Sequence, residues 1–187
     1  MKYEFDVIIV GAGTAGAFLA KICADGGFRV ALLDKKKKDQ IGYPWEITIE
    51  KKIFSRICLK APASSKRPES PEYYRFFANN RDDYLEMKSE DDAIFYFYHK
   101  YFNHYLLSLA LDAGVRFIDQ CTVSDLIVRN SSACGIRGRR KTLFFTRDLE
   151  ITGKIIVDAT GTDQVLCKQI PEDFMIHCDV KNDDCVS

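Results

Sequence analysis

One stretch decides the fold of this 187-residue chain: Phe5-Asp6-Val7-Ile8-Ile9-Val10-Gly11-Ala12-Gly13-Thr14-Ala15-Gly16. Its first six residues are typical of a short buried strand, and the small residues after them are typical of a turn into a helix. A second strand is predicted over residues 29–33 and ends at Asp34. A G-x-G-x-x-G string is a weak signal alone, but in this order of strand, helix and acidic strand end it predicts a β-α-β unit that binds a dinucleotide.

Each part of the motif has a physical role in that prediction. Gly11 permits a tight turn, Gly13 lets the backbone approach a pyrophosphate, and Gly16 lets the helix pack closely on the strand. The helix start offers N–H groups and a partial positive charge to the anion. Asp34 is placed to accept hydrogen bonds from a ribose. For the motif as a whole, the less favoured alternative is a glycine-rich turn that binds nothing. The residues predicted to bind the cofactor are Gly11, Ala12, Gly13, Thr14, Ala15, Gly16 and Asp34.

Four lysines, Lys35–Lys38, follow Asp34 directly. They could bind the 2′-phosphate of NADP, but the favoured interpretation is that they form a solvated turn. An acidic residue at the ribose position repels a 2′-phosphate, so Asp34 favours FAD or NAD. Lys35, next to Asp34, is counted among the cofactor-binding residues.

The composition is that of an ordinary globular protein. Apolar residues make up 47% of the chain, and 27 basic residues balance 27 acidic ones. A net charge of zero removes any argument from the overall electrostatic field for a nucleic-acid or anionic-membrane partner. The chain begins without a signal-peptide pattern and no apolar run is long enough to span a bilayer, so a cytoplasmic location is expected.

The seven cysteines form neither a metal-site pattern nor a disulfide pattern. No C-x-x-C pair and no histidines at zinc-site spacing accompany them, and their number is odd. Reduced thiols and no metal are therefore expected.

Downstream of the β-α-β unit the pattern becomes irregular over residues 40–56. Residues 61–71 hold three of the five prolines, which is typical of an exposed loop. Aromatic residues are dense in the stretch that follows, where they either line an apolar substrate cavity or simply suit strands. The elements predicted next are a hairpin over 73–77 and 84–87, a strand over 94–98, a helix over 99–113 and a strand of the first sheet over 115–118.

Between residues 121 and 157 the apolar period changes to two, which predicts an antiparallel meander attached to the parallel sheet. Basic residues cluster over 137–141, where a solvated strand face is favoured over a nucleic-acid surface. A last buried strand, over 154–157, ends in Asp158-Ala159-Thr160-Gly161, whose small residues permit close backbone approach to a ligand. The strands predicted for the meander are 123–128, 134–139, 142–145 and 149–151.

With this strand end placed so long after the glycine motif, the arrangement resembles the FAD-dependent oxidoreductases of the glutathione-reductase-like superfamily. Within it, the chain most resembles the geranylgeranyl reductase and flavin monooxygenase group. The resemblance implies that the glycine motif and Asp34 hold the pyrophosphate and ribose of FAD. It implies also that Val123 meets the adenine through its backbone. The residues of the later strand end that it places beside the FAD are Ala159, Thr160 and Gly161.

Two further features bear on the resemblance. The loop Ile41-Gly42-Tyr43-Pro44-Trp45 is similar to a loop of the reductase branch, whereas His99 stands where the family has an arginine. The family fold is considerably longer than this chain, which is expected to supply its N-terminal half only.

The fold class expected is α/β: a Rossmann-like parallel sheet with an inserted antiparallel β-meander and part of a β-rich substrate domain. Residues 1–60 and 99–170 are assigned to the FAD-binding domain. Residues 61–98 and 171–187 are assigned to a partial substrate or cap domain.

The resemblance implies the FAD-binding portion of an oxidoreductase that reduces a double bond of an apolar substrate with electrons from a nicotinamide donor. The alternatives are an FAD-dependent monooxygenase-like or halogenase-like enzyme and a truncated, non-catalytic dinucleotide-binding module. An NAD-dependent dehydrogenase ranks last, because strand–helix alternation does not continue after Asp34. No catalytic residue is assigned. The partners expected are FAD, the nicotinamide donor, the apolar substrate and a second copy of the chain that covers exposed apolar surface, with no nucleic acid.

Overall fold

A computed structural model of the chain describes residues 4–63, 72–79, 82–88, 94–171 and 174. The chain divides into two compact units, one of Met1–Ile41 with Leu106–Ser187 and one of Gly42–Tyr105. The functional assignment of domains made from the sequence remains a prediction. In chain order the strands and α-helices are β1 (Phe5–Val10), α1 (Thr14–Asp25), β2 (Val30–Leu33), β3 (Glu46–Glu50), α2 (Lys51–Arg56), β4 (Tyr73–Phe77), β5 (Tyr84–Lys88), β6 (Ile94–Tyr98), α3 (His99–Asp112), β7 (Arg116–Ile118), β8 (Cys121–Arg129), β9 (Ser132–Lys141) and β10 (Thr146–Asp158).

The first unit is built on a six-stranded sheet in the order β7-β2-β1-β10-β9-β8. Strands β7, β2 and β1 run parallel, and the last part of β10 joins β1 in parallel. Strands β10, β9 and β8 then pair antiparallel. The predicted combination of a parallel sheet with an antiparallel meander is therefore confirmed.

Burial explains why the first two strands are interior strands of this sheet. All four residues of β2 are buried, and so are all residues of β1 except Asp6. Continuous apolar runs of this kind are typical of parallel strands that are covered on both faces. Ile8, Val10 and Leu33 belong to one core cluster with Val123 of the meander, so the two parts of the sheet share a core.

The meander differs from its prediction at one strand. Residues 142–145 form the turn between β9 and β10 and not a strand, because the Thr142 backbone N–H and hydroxyl both donate to the carbonyl of Phe145, each at 2.8 Å. The strands predicted over 149–151 and 154–157 are one continuous strand, β10. It changes partner at Gly153, since Thr152 pairs with β9 and Gly153 pairs with β1.

The second unit contains two small antiparallel sheets. Strands β4 and β5 form the predicted aromatic hairpin. Strand β6 is also confirmed as a strand, but its partner is β3, which the irregular sequence over 40–56 did not predict. The predicted helix over 99–113 is confirmed as α3. Residues 64–71 of the proline-rich stretch and the tail after 174 lie outside the described residues.

Two general expectations are tested by the structure. Cys23, Cys58, Cys121 and Cys134 are free, as expected, but Cys167 is disulfide-bonded, so the expectation of reduced thiols is wrong at that position. Burial among apolar side chains raises the pKa of Cys121 to about 11 despite the opposing effect of Arg140. In the described part of the chain, no helix has the length and apolar character needed to cross a membrane.

Candidate functional site

The candidate site lies where three parallel strands end side by side. Strand β1 is flanked by β2 and β10, so the turns that leave these strands meet at one edge of the sheet. The Gly11 N–H donates to the carbonyl of Leu33 at 2.8 Å, and the Ala159 N–H donates to the carbonyl of Val10 at 2.8 Å. The glycine motif and the later strand-end motif, 148 positions apart in sequence, are thus held in backbone contact.

Gly11 and Gly16 are both required by this contact. Gly11 has φ of +105°, and a Cβ atom at this position would lie 2.3 Å from the carbonyl oxygen of Ala159. A Cβ atom at Gly16 would lie 1.9 Å from the carbonyl oxygen of Gly11. Any side chain at either position would therefore overlap backbone atoms, which explains why the turn and the start of α1 can pack so tightly only with glycine.

Gly13 differs from the other two glycines, because a Cβ atom there would meet no atom within 4 Å. It is the N-cap residue of α1, and the first helical hydrogen bond runs from the Ala17 N–H to its carbonyl at 2.9 Å. Among the described residues, no side chain caps this helix and no acidic residue lies in its first turn. The helix start thus combines free space with the positive end of the helix dipole, an arrangement that suits an anion.

Asp34 faces the glycine motif. One carboxylate oxygen accepts the Ala12 N–H at 2.7 Å, and the other accepts the Lys36 N–H at 2.8 Å. The Asp34 backbone is fixed as well, since its carbonyl accepts the Cys121 N–H at 2.8 Å. A carboxylate has about four acceptor positions, so two remain for hydroxyl donors of a ligand.

Asp158, at the end of β10, organises the turn that carries Ala159, Thr160 and Gly161. One carboxylate oxygen accepts the backbone N–H and the hydroxyl of Thr160, at 3.0 and 2.6 Å. The other accepts the N–H groups of Leu166 and Cys167, at 2.7 and 2.9 Å. Partial burial opposes ionisation, but these hydrogen bonds outweigh it and hold the pKa of Asp158 below its usual value.

Two other predicted residues lie outside the glycine motif and the turn after β10. The Lys35 ammonium forms an exposed ion pair with the carboxylate of Asp163 at 2.5 Å, which joins the turn after β2 to the turn after β10. Hydrogen bonding to Lys35 lowers the pKa of Asp163. Val123 is buried in β8 opposite Gly138, where a Cβ atom would lie 2.9 Å from the Val123 Cα.

The structure therefore brings the predicted glycines together with Ala12, Asp34, Ala159 and Thr160. Lys35 is joined to the turn after β10 through Asp163, and Val123 lies in β8 within the core cluster that includes Val10 and Leu33. Prediction from the sequence missed the structural roles of Asp158 and Asp163. The position of Asp158 directly before Ala-Thr-Gly was a usable signal, because a carboxylate before a tight turn commonly accepts local N–H groups. No local signal marks Asp163, since its partner Lys35 is distant in sequence. That these residues bind a cofactor remains a prediction.

Comparison with known proteins gives a family. The sequence model that describes the Thi4 family matches residues 1–173 of this chain. The chain is 28% identical over 171 residues to a digeranylgeranylglycerophospholipid reductase of Methanocella arvoryzae, a match that covers 87% of this chain and 41% of that protein. It is 24% identical over 179 residues to a thiamine thiazole synthase of Saccharolobus solfataricus, which covers 90% of this chain and 61% of that protein.

Solved structures share the fold. A geranylgeranyl bacteriochlorophyll reductase-like protein of Thermoplasma acidophilum superimposes with a TM-score of 0.73 at 20% identity, covering 88% of this chain and 41% of that one. The myxobacterial halogenase CndH, described as a variant of FAD-dependent halogenases, superimposes with a TM-score of 0.69 at 20% identity, covering 88% and 39%. The predicted resemblance to the geranylgeranyl reductase group is confirmed. The chain spans about two fifths of the length of the reductases that it matches.

Proposed function

The chain belongs to the Thi4 family, and from that premise we propose that it is the FAD-binding portion of a flavin-dependent oxidoreductase. The observation that carries the proposal is the sheet edge at which the open start of α1 lies beside the carboxylate of Asp34. A helix start binds phosphate through its N–H groups, and a carboxylate with unused lone pairs binds hydroxyls. The adenosine diphosphate part of FAD presents both groups.

Each predicted residue has a role in this proposal. The backbone of residues 11–16 holds the pyrophosphate, Asp34 accepts the ribose hydroxyls, and the backbone of Val123 meets the adenine. Residues 159–161 border the cofactor where β10 ends, and Lys35 lies at the rim, where its ion pair with Asp163 joins the turns after β2 and β10. FAD supplies the electron-transfer chemistry when bound, and the chain supplies binding and orientation.

Within this proposal, the reaction is reduction of a double bond in an apolar substrate with electrons from a nicotinamide donor. Its support is the similarity to digeranylgeranylglycerophospholipid reductases, together with the reductase-like loop over 41–45. The similarity in fold to CndH supports a halogenase-like or monooxygenase-like reaction as the alternative. A cytoplasmic location is part of the proposal on the basis of the sequence alone.

A second candidate function is favoured by a specific observation. The family model covers almost the whole described chain, and the chain spans a larger share of the thiamine thiazole synthase than of the reductases, 61% against 41%. A thiazole-forming activity is therefore the second candidate, and detection of a thiazole product by mass spectrometry tests it.

The flavin proposal is tested by titrating the purified chain with FAD and following the quenching of flavin fluorescence. Gly13→Ser is the most informative variant, since serine is a favoured N-cap and its Cβ atom has free space in the absence of a ligand. We expect the variant to fold normally but to bind FAD about tenfold or more weakly, because its side chain occupies the approach to the pyrophosphate.

The matched control is Gly27→Asn, which also adds a side chain in open space but lies in the turn after α1. Asparagine tolerates the positive φ of +82° at this position, so folding and FAD binding should both be retained. Binding of NAD with no binding of FAD, or equal FAD affinity of Gly13→Ser and the parent chain, would contradict the proposal.

A further inference from the structure

The turn between β9 and β10 exposes large apolar side chains to an unusual degree. Leu143 is 91% exposed and Phe144 is 90% exposed, more than any other large apolar side chain of the described residues. The turn itself is well defined, because Thr142 donates two hydrogen bonds to the carbonyl of Phe145 and its hydroxyl oxygen accepts the Phe145 N–H at 3.3 Å. Residues 142–145 are called the apolar turn below.

Positive charge lies directly behind the apolar turn. Arg140 and Arg147 are opposite each other in the antiparallel register, and Lys141 lies opposite Thr146. Like charges directly opposite each other destabilise a strand pair, so the fold has a cost at this position. Arg140 pairs with Asp119 at 2.8 Å, whereas no carboxylate of the described residues forms an ion pair with Lys141 or Arg147. The Arg147 guanidinium lies 4.5 Å from the centre of the Phe145 ring.

We propose that the apolar turn inserts into the interface of an anionic membrane, with Leu143 and Phe144 among the upper acyl chains and Lys141 and Arg147 at the phosphate level. Apolar side chains followed closely by cations match the order of layers in a bilayer surface. The zero net charge of the chain does not oppose this, because electrostatic attraction to a surface acts over about 8 Å at physiological salt and so depends on local charge.

The positive charge beside the apolar turn favours an anionic membrane over a protein partner as the surface that covers it. If two copies of the chain met through the apolar turn, Lys141 and Arg147 of each copy would approach the same cations of the other, which is unfavourable. A covering apolar protein segment would explain the exposed Leu143 and Phe144 but would give the cations no partner. An anionic bilayer satisfies the apolar side chains and the cations together.

The test is cosedimentation of the 187-residue chain with vesicles of phosphatidylcholine alone or mixed with phosphatidylserine. We expect binding to the mixed vesicles that weakens as salt is raised. The double variant Leu143→Ser with Phe144→Ser should bind at least about tenfold more weakly. The matched control is Phe28→Ser, an exposed aromatic residue in the turn after α1, which should bind like the parent.

The charge contribution is tested separately. Lys141→Gln with Arg147→Gln should weaken binding to phosphatidylserine vesicles by about tenfold and reduce its salt dependence. The control Lys37→Gln with Lys38→Gln removes the same charge elsewhere and should have little effect. Thermal melting of each variant at the parent temperature would show that the folds are equivalent.

Insertion has its own signature. Since Trp45 is the only tryptophan, Phe144→Trp in a Trp45→Phe background reports on the apolar turn alone. Its emission should shift to the blue and be quenched by brominated lipids. The proposal is overturned by equal binding to vesicles with and without phosphatidylserine, by unchanged emission on vesicles, or by self-association through Phe144 with no vesicle binding.

Discussion

Strands β1 and β2 of the first unit and the hairpin β4–β5 of the second are both rich in apolar residues, yet their surroundings are opposite. Every residue of β2 is buried, whereas every residue of β5 is exposed. In the hairpin, Phe76 and Leu85 lie directly opposite each other and remain 57% and 61% exposed. Apolar content alone therefore predicts that a segment is a strand but does not predict what covers it.

The two regions are also held together differently. The hairpin depends on cross-strand contacts, such as the ion pair of Arg75 with Glu86 at 2.7 Å and the ring contact of Phe77 with Tyr84. Pairs of this kind contribute modestly in strands that face solvent. The parallel strands depend on burial and on close backbone approach at Gly11, so a change of similar size should cost far more there.

The largest expected effect is that of Leu32→Ala in β2. Leu32 has no exposed surface, so its truncation should lower the free energy of unfolding by about 4 kcal/mol, through lost burial and the cavity left behind. The matched change Leu85→Ala in the hairpin should cost less than about 0.5 kcal/mol. Urea unfolding followed by circular dichroism measures both, and similar costs for the two variants would contradict the comparison.

Gly11→Ala should have the next largest effect. The new Cβ atom would overlap the carbonyl oxygen of Ala159 at a positive φ, so we expect a loss of about 3 kcal/mol from steric overlap and backbone strain together. Gly27→Ala is the control, because it has a positive φ but free space, and it should lose only about 1 kcal/mol. Equal losses would mean that the contact with Ala159 relaxes without cost.

The sequence predicts those features of the candidate site that depend on neighbouring residues, and it misses those that depend on residues far apart in the chain. Gly11 and Gly16 were predicted because a tight turn into a helix has a strict local requirement. The contact of Gly11 with Ala159 was not predicted, because sheet order brings these distant residues together, and the family resemblance placed Ala159 only beside the FAD. Strand β3 was missed because its partner β6 lies far along the chain, and a strand defined by pairing leaves a weak local pattern.

The wrong prediction of a strand over 142–145 has a different origin. Aromatic and other large apolar residues are typical of strands, and Leu143-Phe144-Phe145 follows β9 closely in the sequence. The hydrogen bonds of Thr142 with Phe145 decide instead that the chain turns there. Because an exposed Leu-Phe pair is unfavourable in water, a sequence pattern that assumes burial cannot identify a turn of this composition.

Asp158→Asn should have an intermediate effect. The new amide group would replace an oxygen that accepts two hydrogen bonds, so at least one pair of donors at the end of β10 would lose its acceptor. We expect a loss of about 2 kcal/mol, less than in a fully buried site because Asp158 is partly exposed. Asp39→Asn, at an exposed position in the short 3-10 helix Lys38–Gln40, is the control and should be nearly neutral. Thermal unfolding at neutral pH compares the two variants.

The same carboxylate predicts a pH dependence. The pKa of Asp158 is lower in the folded state than in the unfolded state, so folding releases a proton at pH values between these two pKa values. The charged carboxylate therefore stabilises the fold above about pH 4. That contribution is lost as pH falls through the folded pKa. The stability difference between the parent and Asp158→Asn should therefore shrink as pH is lowered from 6 to 3. A difference that stays constant would show that Asp158 acts without its charge.

The smallest effect on stability is expected for Phe76→Ser with Leu85→Ser, the cross-strand pair of the hairpin. Both side chains are exposed, so the free energy of unfolding should change by less than about 0.5 kcal/mol. If the exposed apolar surface of the hairpin is covered by a second copy of the chain, self-association measured by sedimentation velocity should weaken in this variant. Glu72→Gln, beside the hairpin, should leave it unchanged. A parent chain that stays monomeric at all concentrations would contradict the predicted homo-oligomer, whereas a large loss of stability would mean that the hairpin is buried within one molecule.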